Sequence, residues 1–308
     1  MRPFALFLAA VIPLAVCFAD APATATAPSE AAATTAPVSF IRPGEVIELR
    51  MTYGLLGTAG TTTIETFAEP GPAGLRYRIH ITANSRGLVD TLYPVANDSE
   101  SVLDAATGRP LTLKTKGKNG RRLTEKTTTF DYDRGEAVHV DAVRPHRSAT
   151  VPLPPEPAYD LMVALLQARE WRLKPGESRR VQCVNDDDFF TVEVVAVDTA
   201  RLRTPAGTFD TIVLEPRPVG EPVGFFKKGG SLRLWISQGD LPQLIRLDTK
   251  TKIGTVVATL VRNEIRPPAT PAAPATPTAP AAPSTPAAPA APTAPSTPAT
   301  PAVPPPAP

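Results

Sequence analysis

The stretch Leu75-Arg76-Tyr77-Arg78-Ile79-His80-Ile81 alternates apolar and polar side chains without a break. Side chains of a β-strand point alternately to the two faces of its sheet, so one face of this strand is predicted to be dry and the other wet. Strands of that kind are typical of antiparallel sheets. Residues 47–53 repeat the pattern, with apolar side chains at the odd positions. The sequence therefore predicts an all-β, mainly antiparallel domain.

Further strands are predicted between turn signals such as Lys118-Asn119-Gly120 and Asp133-Arg134-Gly135. The predicted segments are 88–95, 99–104, 110–117, 121–132, 136–142, 179–184, 189–198, 208–217, 231–237, 243–249 and 253–264. Their spacing favours a meander of long hairpins.

One segment, at about 158–170, has the spacing of a helix. Leu161, Leu165 and Ala168 fall on one helical face, and Asp160 is a suitable N-cap. Such a helix must lay its apolar stripe on a sheet face or plug the open end of a curved sheet. The predicted fold is a strongly curved sheet or partial barrel of long hairpins with this one short amphipathic helix. Arg169 either meets a charged group beneath the helix or, more simply, lies in solvent at its last turn.

The first 19 residues have the three parts of a secretory signal peptide. Arg2 is positive, residues 4–18 form an apolar run, and small residues precede a cleavage site between Ala19 and Asp20. The run is shorter than the roughly 20 residues of a spanning helix, so no transmembrane segment is expected after signal removal. One alternative stays open, because Cys17 and the three residues before it resemble a lipobox, in which the cysteine is acylated. Export is predicted, to the periplasm or cell envelope, as a free protein or a lipoprotein.

Composition divides the chain into four segments. Residues 1–19 are the signal peptide, 20–38 a flexible Ala/Thr/Pro-rich lead-in, 39–266 a single β-rich domain, and 267–308 a disordered tail. The tail has 17 prolines among 42 positions and no charge, so it buries too little apolar surface to offset the entropy of ordering it. It is predicted to be a spacer, or a tether to peptidoglycan or an envelope protein. A net charge of +2 gives no reason to expect nucleic acid as a partner.

No constellation of residues identifies a reaction. His80, His139 and His146 have no serine or cysteine at a recognisable spacing, and motifs for phosphate loops or metalloproteases do not occur. We therefore expect no catalytic residue, no cofactor and no metal ion, and predict that the protein is not an enzyme. Asn185-Asp186-Asp187-Asp188 offers oxygen ligands, but it lacks the spacing of a calcium loop, and a hairpin turn is the simpler interpretation. Cys183, in a predicted strand, is interpreted as a small buried hydrophobe.

The remaining candidate site is Phe225, Phe226, Lys227 and Lys228, which precede two glycines. Two aromatic rings and two cations in a flexible place suit contact with an anionic lipid surface or a ligand. A hairpin with one buried phenylalanine and an exposed polar tip explains the same residues.

Short motifs follow one another in a fixed order over roughly residues 44–262. They are Gly44-Glu45, Tyr53-Gly54, Gly57-Thr58-Ala59-Gly60, Tyr159-Asp160-Leu161, Ala168-Arg169, Thr204-Pro205-Ala206-Gly207-Thr208-Phe209, Leu234-Trp235-Ile236-Ser237, Leu241-Pro242 and Ile253-Gly254. In this order they resemble the bacterial exported family catalogued as domain of unknown function 3108. That family has no established activity, so the resemblance implies a fold and an exported location only.

Two hypotheses of function follow. In the first, a non-catalytic envelope protein binds or carries an apolar ligand, such as a lipid, in the concavity of its curved sheet. In the alternative, the domain is a structural or interaction module that its proline-rich tail tethers to the wall or to a partner.

Overall fold

The computed structural model describes residues 39–224, 226–251 and 254–267, which form one sheet of 15 strands. The strands are β1 (Glu45–Tyr53), β2 (Thr58–Gly71), β3 (Gly74–Ser85), β4 (Val95–Asp104), β5 (Pro110–Asn119), β6 (Arg122–Asp131), β7 (Glu136–Asp141), β8 (Ala149–Pro152), β9 (Ala158–Tyr159), β10 (Ser178–Asn185), β11 (Asp188–Thr204), β12 (Gly207–Pro218), β13 (Ser231–Ser237), β14 (Leu244–Thr251) and β15 (Gly254–Ile265). Two α-helices accompany them, α1 (Gly87–Leu92) and α2 (Leu161–Gln167).

The first and last strands pair with each other in the middle of the sheet. The strand order is β8-β7-β6-β5-β4-β3-β2-β1-β15-β14-β13-β12-β11-β10-β9. Glu45, at the start of β1, lies opposite Ile265, at the end of β15. The chain meanders from the middle to one edge at β8, crosses to the other edge at β9, and meanders back. Pairing is antiparallel throughout the described strands except between β9 and β10, which run parallel.

The sheet stays open between its edge strands, β8 and β9. Residues 153–157 connect the two strands, and a connection of that length spans at most about 20 Å. The edges therefore lie close together, and the predicted partial barrel is confirmed. Pro152 ends β8, and Pro154, Pro155 and Pro157, which lack the amide hydrogen of a strand ladder, keep the connection to β9 from extending either strand.

Side chains fill the seam that the backbone leaves open. Phe130 of β6 and Ala137 of β7 pack with Ala158 of β9 and Val184 of β10 in a small apolar group, here called the seam cluster. Five partly buried side chains surround it: Leu113, Tyr132, Val151, Leu153 and Phe189. The cluster thus joins the two ends of the sheet by packing alone.

The main core lies on the concave face of β1–β3 and β10–β15. Ile47, Leu214 and Leu260 are among its fully buried side chains. Helix α2 lies against this core and buries four consecutive residues, Val163, Ala164, Leu165 and Leu166. The apolar part of the concave face is therefore the place where α2 packs against the sheet.

Helix α2 begins where the sequence predicts. The Asp160 carboxylate accepts hydrogen bonds from the amides of Met162 at 2.9 Å and Val163 at 3.1 Å, as an N-cap should. The helix is shorter than the predicted 158–170, because residues 158–159 join the sheet as β9 and residues 168–170 tighten into a 3-10 turn.

The strand predicted at 88–95 is wrong. Residues Gly87–Leu92 form α1, and β4 begins only at Val95. Because β3 pairs with β4 in antiparallel fashion, the chain must reverse direction here, and the short helix makes that reversal. Of the apolar residues in α1, only Val89 is buried, whereas Leu88 and Leu92 lie on the surface. One buried side chain gives too little apolar face to hold this segment in a strand.

The expectation that Arg169 lies in solvent is also wrong. The Arg169 and Glu45 side chains are 0% and 1% exposed, and the guanidinium Nη1 lies 2.8 and 2.9 Å from the two carboxylate oxygens. Arg169 also donates to the carbonyl oxygens of Phe40 at 2.9 Å and Leu166 at 3.2 Å. The sequence alternative, in which Arg169 meets a charged group beneath the helix, is the one observed.

Candidate functional site

The interior of the curved sheet changes character along the strand order. From β4 to β7 many of the inward positions carry buried polar side chains: Asn97, Ser101, Asn119, Thr124, Lys126, Thr128, His139 and Asp141. Buried polar groups cost free energy unless they are hydrogen-bonded, so their partners decide what this region can do. We call one part of this region the polar mouth. It consists of residues on β6, β7, the loop after β7 and the turn between β10 and β11: Arg122, Thr124, Lys126, Thr128, His139, Asp141, Arg144, Arg147 and Asp186.

Lys126 forms a buried ion pair with Asp186. The distance from Nζ to Oδ2 is 2.6 Å, and the two side chains are 5% and 9% exposed. Burial lowers the pKa of Lys126, and Asp186 opposes that shift. Asp186 belongs to the turn between β10 and β11, and Lys126 lies on β6, so this ion pair crosses the seam. It lies next to the seam cluster, which contains residues of the same strands, Phe130 and Val184.

Thr128 and His139 form the next layer. Thr128 Oγ1 lies 2.9 Å from His139 Nδ1, with the donor set by the imidazole tautomer, and both residues are buried. Burial lowers the pKa of His139, against the opposing effect of Asp186. His139 is therefore neutral in the folded protein near pH 7.

We expect the lowered pKa of His139 to make folding stability fall with acidification. The unfolded histidine, with a pKa near 6.5, takes up a proton before the folded one, so the free energy of unfolding drops as pH falls below about 6.5. The slope contributed by one such group reaches about 1.4 kcal/mol per pH unit. Urea unfolding from pH 8 to pH 5 should show a flatter dependence for His139→Gln than for wild type. Parallel curves for the two proteins would contradict this account.

Asp141 organises the loop that follows β7. Its buried carboxylate accepts the amides of Val143 at 3.1 Å and Arg144 at 2.8 Å, and the Arg144 guanidinium Nε at 3.1 Å. These contacts outweigh desolvation and lower the pKa of Asp141. The carboxylate is thereby held ionised, and it fixes the position of the loop at the polar mouth.

Arg122 and Arg147 are the charged side chains of this region without an ion partner. Among the described residues, neither guanidinium forms a hydrogen bond or an ion pair. Arg147 Nη1 and Thr124 Oγ1 are buried atoms that no partner satisfies, and Arg144 Nη2 contacts only Asp141, at 3.0 Å and without hydrogen-bond geometry. The polar mouth thus contains donors that the protein does not use.

The polar mouth could not be read from the sequence as a site. Residues 122–131 predict a strand, but the consecutive threonines 127–129 show no alternation of apolar and polar side chains, so they do not indicate which face of the strand is inward. One signal was available: Lys126 and Thr128 share the parity of Phe130, which marks the buried face. Asp186 and the arginines of the loop reach the same place only through the fold.

The turn predicted at residues 185–188 is confirmed. Strand β10 ends at Asn185, β11 begins at Asp188, and Asp186 takes a positive φ of 63°. Within the described ranges, no group of three or more His, Cys, Asp or Glu side chains could hold a metal ion. Cys183 is fully buried in β10, as predicted, and burial raises the pKa of its thiol.

The other predicted site residues lie apart from the polar mouth. Phe226 is buried in the main core, and Lys227 is exposed. Phe225 lies outside the described residues, as does the side chain of Lys228, and so do Cys17, Ala19 and Asp20. The hairpin interpretation, with one buried phenylalanine and an exposed polar tip, fits Phe226 and Lys227. Contact of this loop with a ligand or lipid surface stays a prediction.

The fold is that of a mostly β protein whose single large sheet is antiparallel but not closed. Residues 48–261 match the family described as "Protein of unknown function (DUF3108)", and the chain belongs to that family. The resemblance seen in the sequence is therefore confirmed. A comparison with curated proteins finds no match.

Several solved structures are similar to the chain, and three of them are described here. A β-barrel-like protein of domain of unknown function DUF1849 from Brucella abortus has a TM-score of 0.48 and 10% identity, covering 74% of this chain and 100% of its own. A protein described as exported, with a YmcC-like fold, from Bacteroides fragilis has a TM-score of 0.27 and 13% identity, and the match covers 75% of this chain and 99% of its own. A protein described as a lipoprotein from Parabacteroides distasonis has a TM-score of 0.26 and 11% identity, and the match covers 73% of this chain and 98% of its own. None of the helices in the described part of the chain is long and apolar enough to cross a membrane.

Proposed function

We propose that the protein is a non-catalytic, exported protein of the cell envelope that binds a small ligand at its polar mouth. The observation that carries this proposal is a pair of partly buried arginines, Arg122 and Arg147, whose guanidinium groups have no hydrogen bond or ion pair among the described residues, with Arg147 Nη1 a buried atom that no partner satisfies. Leaving such atoms unsatisfied costs about 1–3 kcal/mol each, and a ligand that pairs with them recovers that free energy.

The polar mouth is a better ligand site than the apolar concavity. The concave face of β1–β3 and β10–β15 carries the main core, whose apolar side chains pack against one another and against α2, whereas the polar mouth holds donors that have no protein partner. A groove of about 470 Å³ does exist on the outer side of β3–β6, but Asp98, Lys116 and Glu125 line it together with Leu123 and Val143. A lipid would therefore bind this protein through its polar group.

We also propose that the protein has no catalytic activity, because a substrate cannot reach the one pair of side chains in the polar mouth that resembles a catalytic pair. Thr128 and His139 are a hydroxyl and an imidazole within hydrogen-bonding distance, which is a pair that hydrolases use. Thr128 is 5% exposed and His139 is 2% exposed, so a substrate carbonyl or phosphoryl group does not reach the hydroxyl. The neutral pair serves instead to satisfy two buried polar groups.

Native mass spectrometry of the full chain, purified from its own envelope without denaturant, tests the proposal. We expect a population with one added small molecule, which disappears after the protein is unfolded and refolded in clean buffer. A spectrum with the bare protein alone, before and after refolding, would count against ligand binding. The same masses test export, because cleavage predicts a chain that begins at Asp20 and lipidation predicts one that begins at acylated Cys17.

The alternative function is a structural or interaction module. It is favoured by the Lys126–Asp186 ion pair, which gives part of the polar mouth a role in closing the seam. In this case the proline-rich segment 267–308 tethers the domain to peptidoglycan or to an envelope protein. Deleting that segment should then release a folded domain from the envelope fraction, whereas a ligand-binding protein would keep its bound molecule after the deletion.

A further inference from the structure

Three arginines converge on the polar mouth from two neighbouring elements. Arg122 shares the inward parity of Thr124 and Lys126 at the start of β6. Arg144 and Arg147 belong to the loop between β7 and β8, which runs on beside β6 because the Ala142 amide bonds the Glu125 carbonyl at 2.9 Å. The convergence is also electrostatic, since repulsion from Arg144 and Arg147 adds to desolvation in lowering the pKa of Arg122.

The loop holds two of these arginines in a defined turn. The Arg147 amide donates to the Arg144 carbonyl at 2.9 Å, and Pro145 between them restricts the backbone. The Asp141 carboxylate anchors the loop through two backbone amides. The loop backbone is therefore fixed before a ligand arrives, and Asp141 also holds the Arg144 guanidinium, which reduces the entropy that binding must overcome.

The charges of the polar mouth do not balance. Its cations are Arg122, Lys126, Arg144 and Arg147, and the carboxylates that face Arg122 and Lys126 are Asp141 and Asp186. Asp141 is engaged by Arg144, and Asp186 is engaged by Lys126. Asp187 adds a carboxylate beside His139, so four cations face three carboxylates, and Arg122 and Arg147 are the cations without an ion partner among the described residues. A phosphate group near pH 7 carries about −1.5 to −2.

We propose that Arg122, Arg144 and Arg147 bind a phosphate group. The inference rests on the proposed function and names the chemistry of its ligand. Guanidinium groups bind phosphate oxygens through paired N–H donors, and the donors of Arg122 and Arg147, with those that Asp141 leaves free on Arg144, suit a phosphate group better than a carboxylate with two oxygens. Arg122 and Arg147 are only partly buried, so part of each side chain lies where a ligand can reach it.

The phosphate has two sources, a free phosphate or the head group of a phospholipid. Isothermal titration calorimetry of the full chain at low ionic strength distinguishes them with three probes: inorganic phosphate, dihexanoyl phosphatidic acid below its micelle concentration, and dihexanoyl phosphatidylcholine. Binding of both inorganic phosphate and phosphatidic acid supports a general phosphate site, and binding of phosphatidic acid alone supports a lipid head group. Binding of neither, or equal binding of phosphatidylcholine and phosphatidic acid, overturns the proposal.

Two variants and a matched control locate the site. Arg122→Gln and Arg147→Gln should each weaken binding of the phosphate probe at least tenfold. Arg121→Gln removes the same charge from the adjacent exposed residue and should weaken binding less than threefold. An equal loss in Arg121→Gln would mean unspecific attraction and would reject the site.

Stability without ligand separates binding from a structural role. Because neither Arg122 nor Arg147 bonds to the protein, their glutamine variants should keep or slightly raise the urea midpoint in phosphate-free buffer, whereas a structural role predicts a lower midpoint. The outcomes also separate this inference from the proposed function. A ligand that co-purifies but contains no phosphate rejects only the phosphate site, and a protein that carries and binds nothing rejects both.

Discussion

Replacing Arg169 with methionine is expected to lower the free energy of unfolding by about 3–5 kcal/mol, as removal of one partner of a buried ion pair does. Glu45 would remain a buried carboxylate, with only the Asn263 amide at 3.1 Å and Arg42 at 3.5 Å as partners. The carbonyl oxygens of Phe40 and Leu166 would also lose a donor. Equilibrium unfolding in urea, followed by tryptophan fluorescence and circular dichroism, measures the change.

Arg262→Met is the matched control for Arg169→Met. Arg262 is 48% exposed and pairs with Glu48 and Glu264 on the outer side of β15, where such pairs contribute about 0–1 kcal/mol. A double variant, Glu45→Met with Arg169→Met, removes both buried charges and should recover part of the loss. If Arg169→Met and Arg262→Met unfold at the same urea concentration, the buried pair does not hold the domain in the way described.

The second large effect is expected at the seam. Phe130→Ala should lower the free energy of unfolding by about 3–5 kcal/mol, because it leaves a cavity in the seam cluster, which joins strands that no ladder connects. The loss should also be local. Hydrogen exchange should accelerate first in β7 to β9, while β1 to β3 keep their protection.

Val138→Ala provides the comparison for Phe130→Ala. Val138 lies on β7 next to the seam cluster but points to the outer face and is 37% exposed, so its truncation should cost less than about 1 kcal/mol. Uniform acceleration of exchange across all strands in Phe130→Ala would show that the seam does not open separately from the rest of the sheet.

Much of the fold was predictable because local patterns encode it. The strand predicted at 231–237 has the same bounds as β13, and the alternating stretch 75–81 lies within β3. Asp160 caps α2 because an N-cap needs only the next turn of its own chain. Where a segment buries one continuous face, its period is sufficient to assign it.

The features that the sequence did not reveal depend on contacts between distant parts of the chain. Arg169 is buried only because Glu45, 124 residues earlier, lies beneath the helix. Edge strand β9 has two residues, too few for any period, and exists because β10 lies beside it. The polar mouth reverses the usual pattern, since Lys126 and Thr128 occupy the inward face, and Asp186 reaches it across the seam.

The pairing of β1 with β15 has a mechanical consequence. Because Glu45 lies opposite Ile265, the chain enters and leaves the sheet at the same end of these two strands. Tension applied between the two ends of the domain would peel β1 from β15 one hydrogen-bonded pair at a time, instead of loading all the pairs together in shear. Glu45, which Arg169 and Asn263 hold from two sides, stands at the point where peeling starts. The buried ion pair would then act as a mechanical latch, and its strength would set the pulling force at which the domain begins to open.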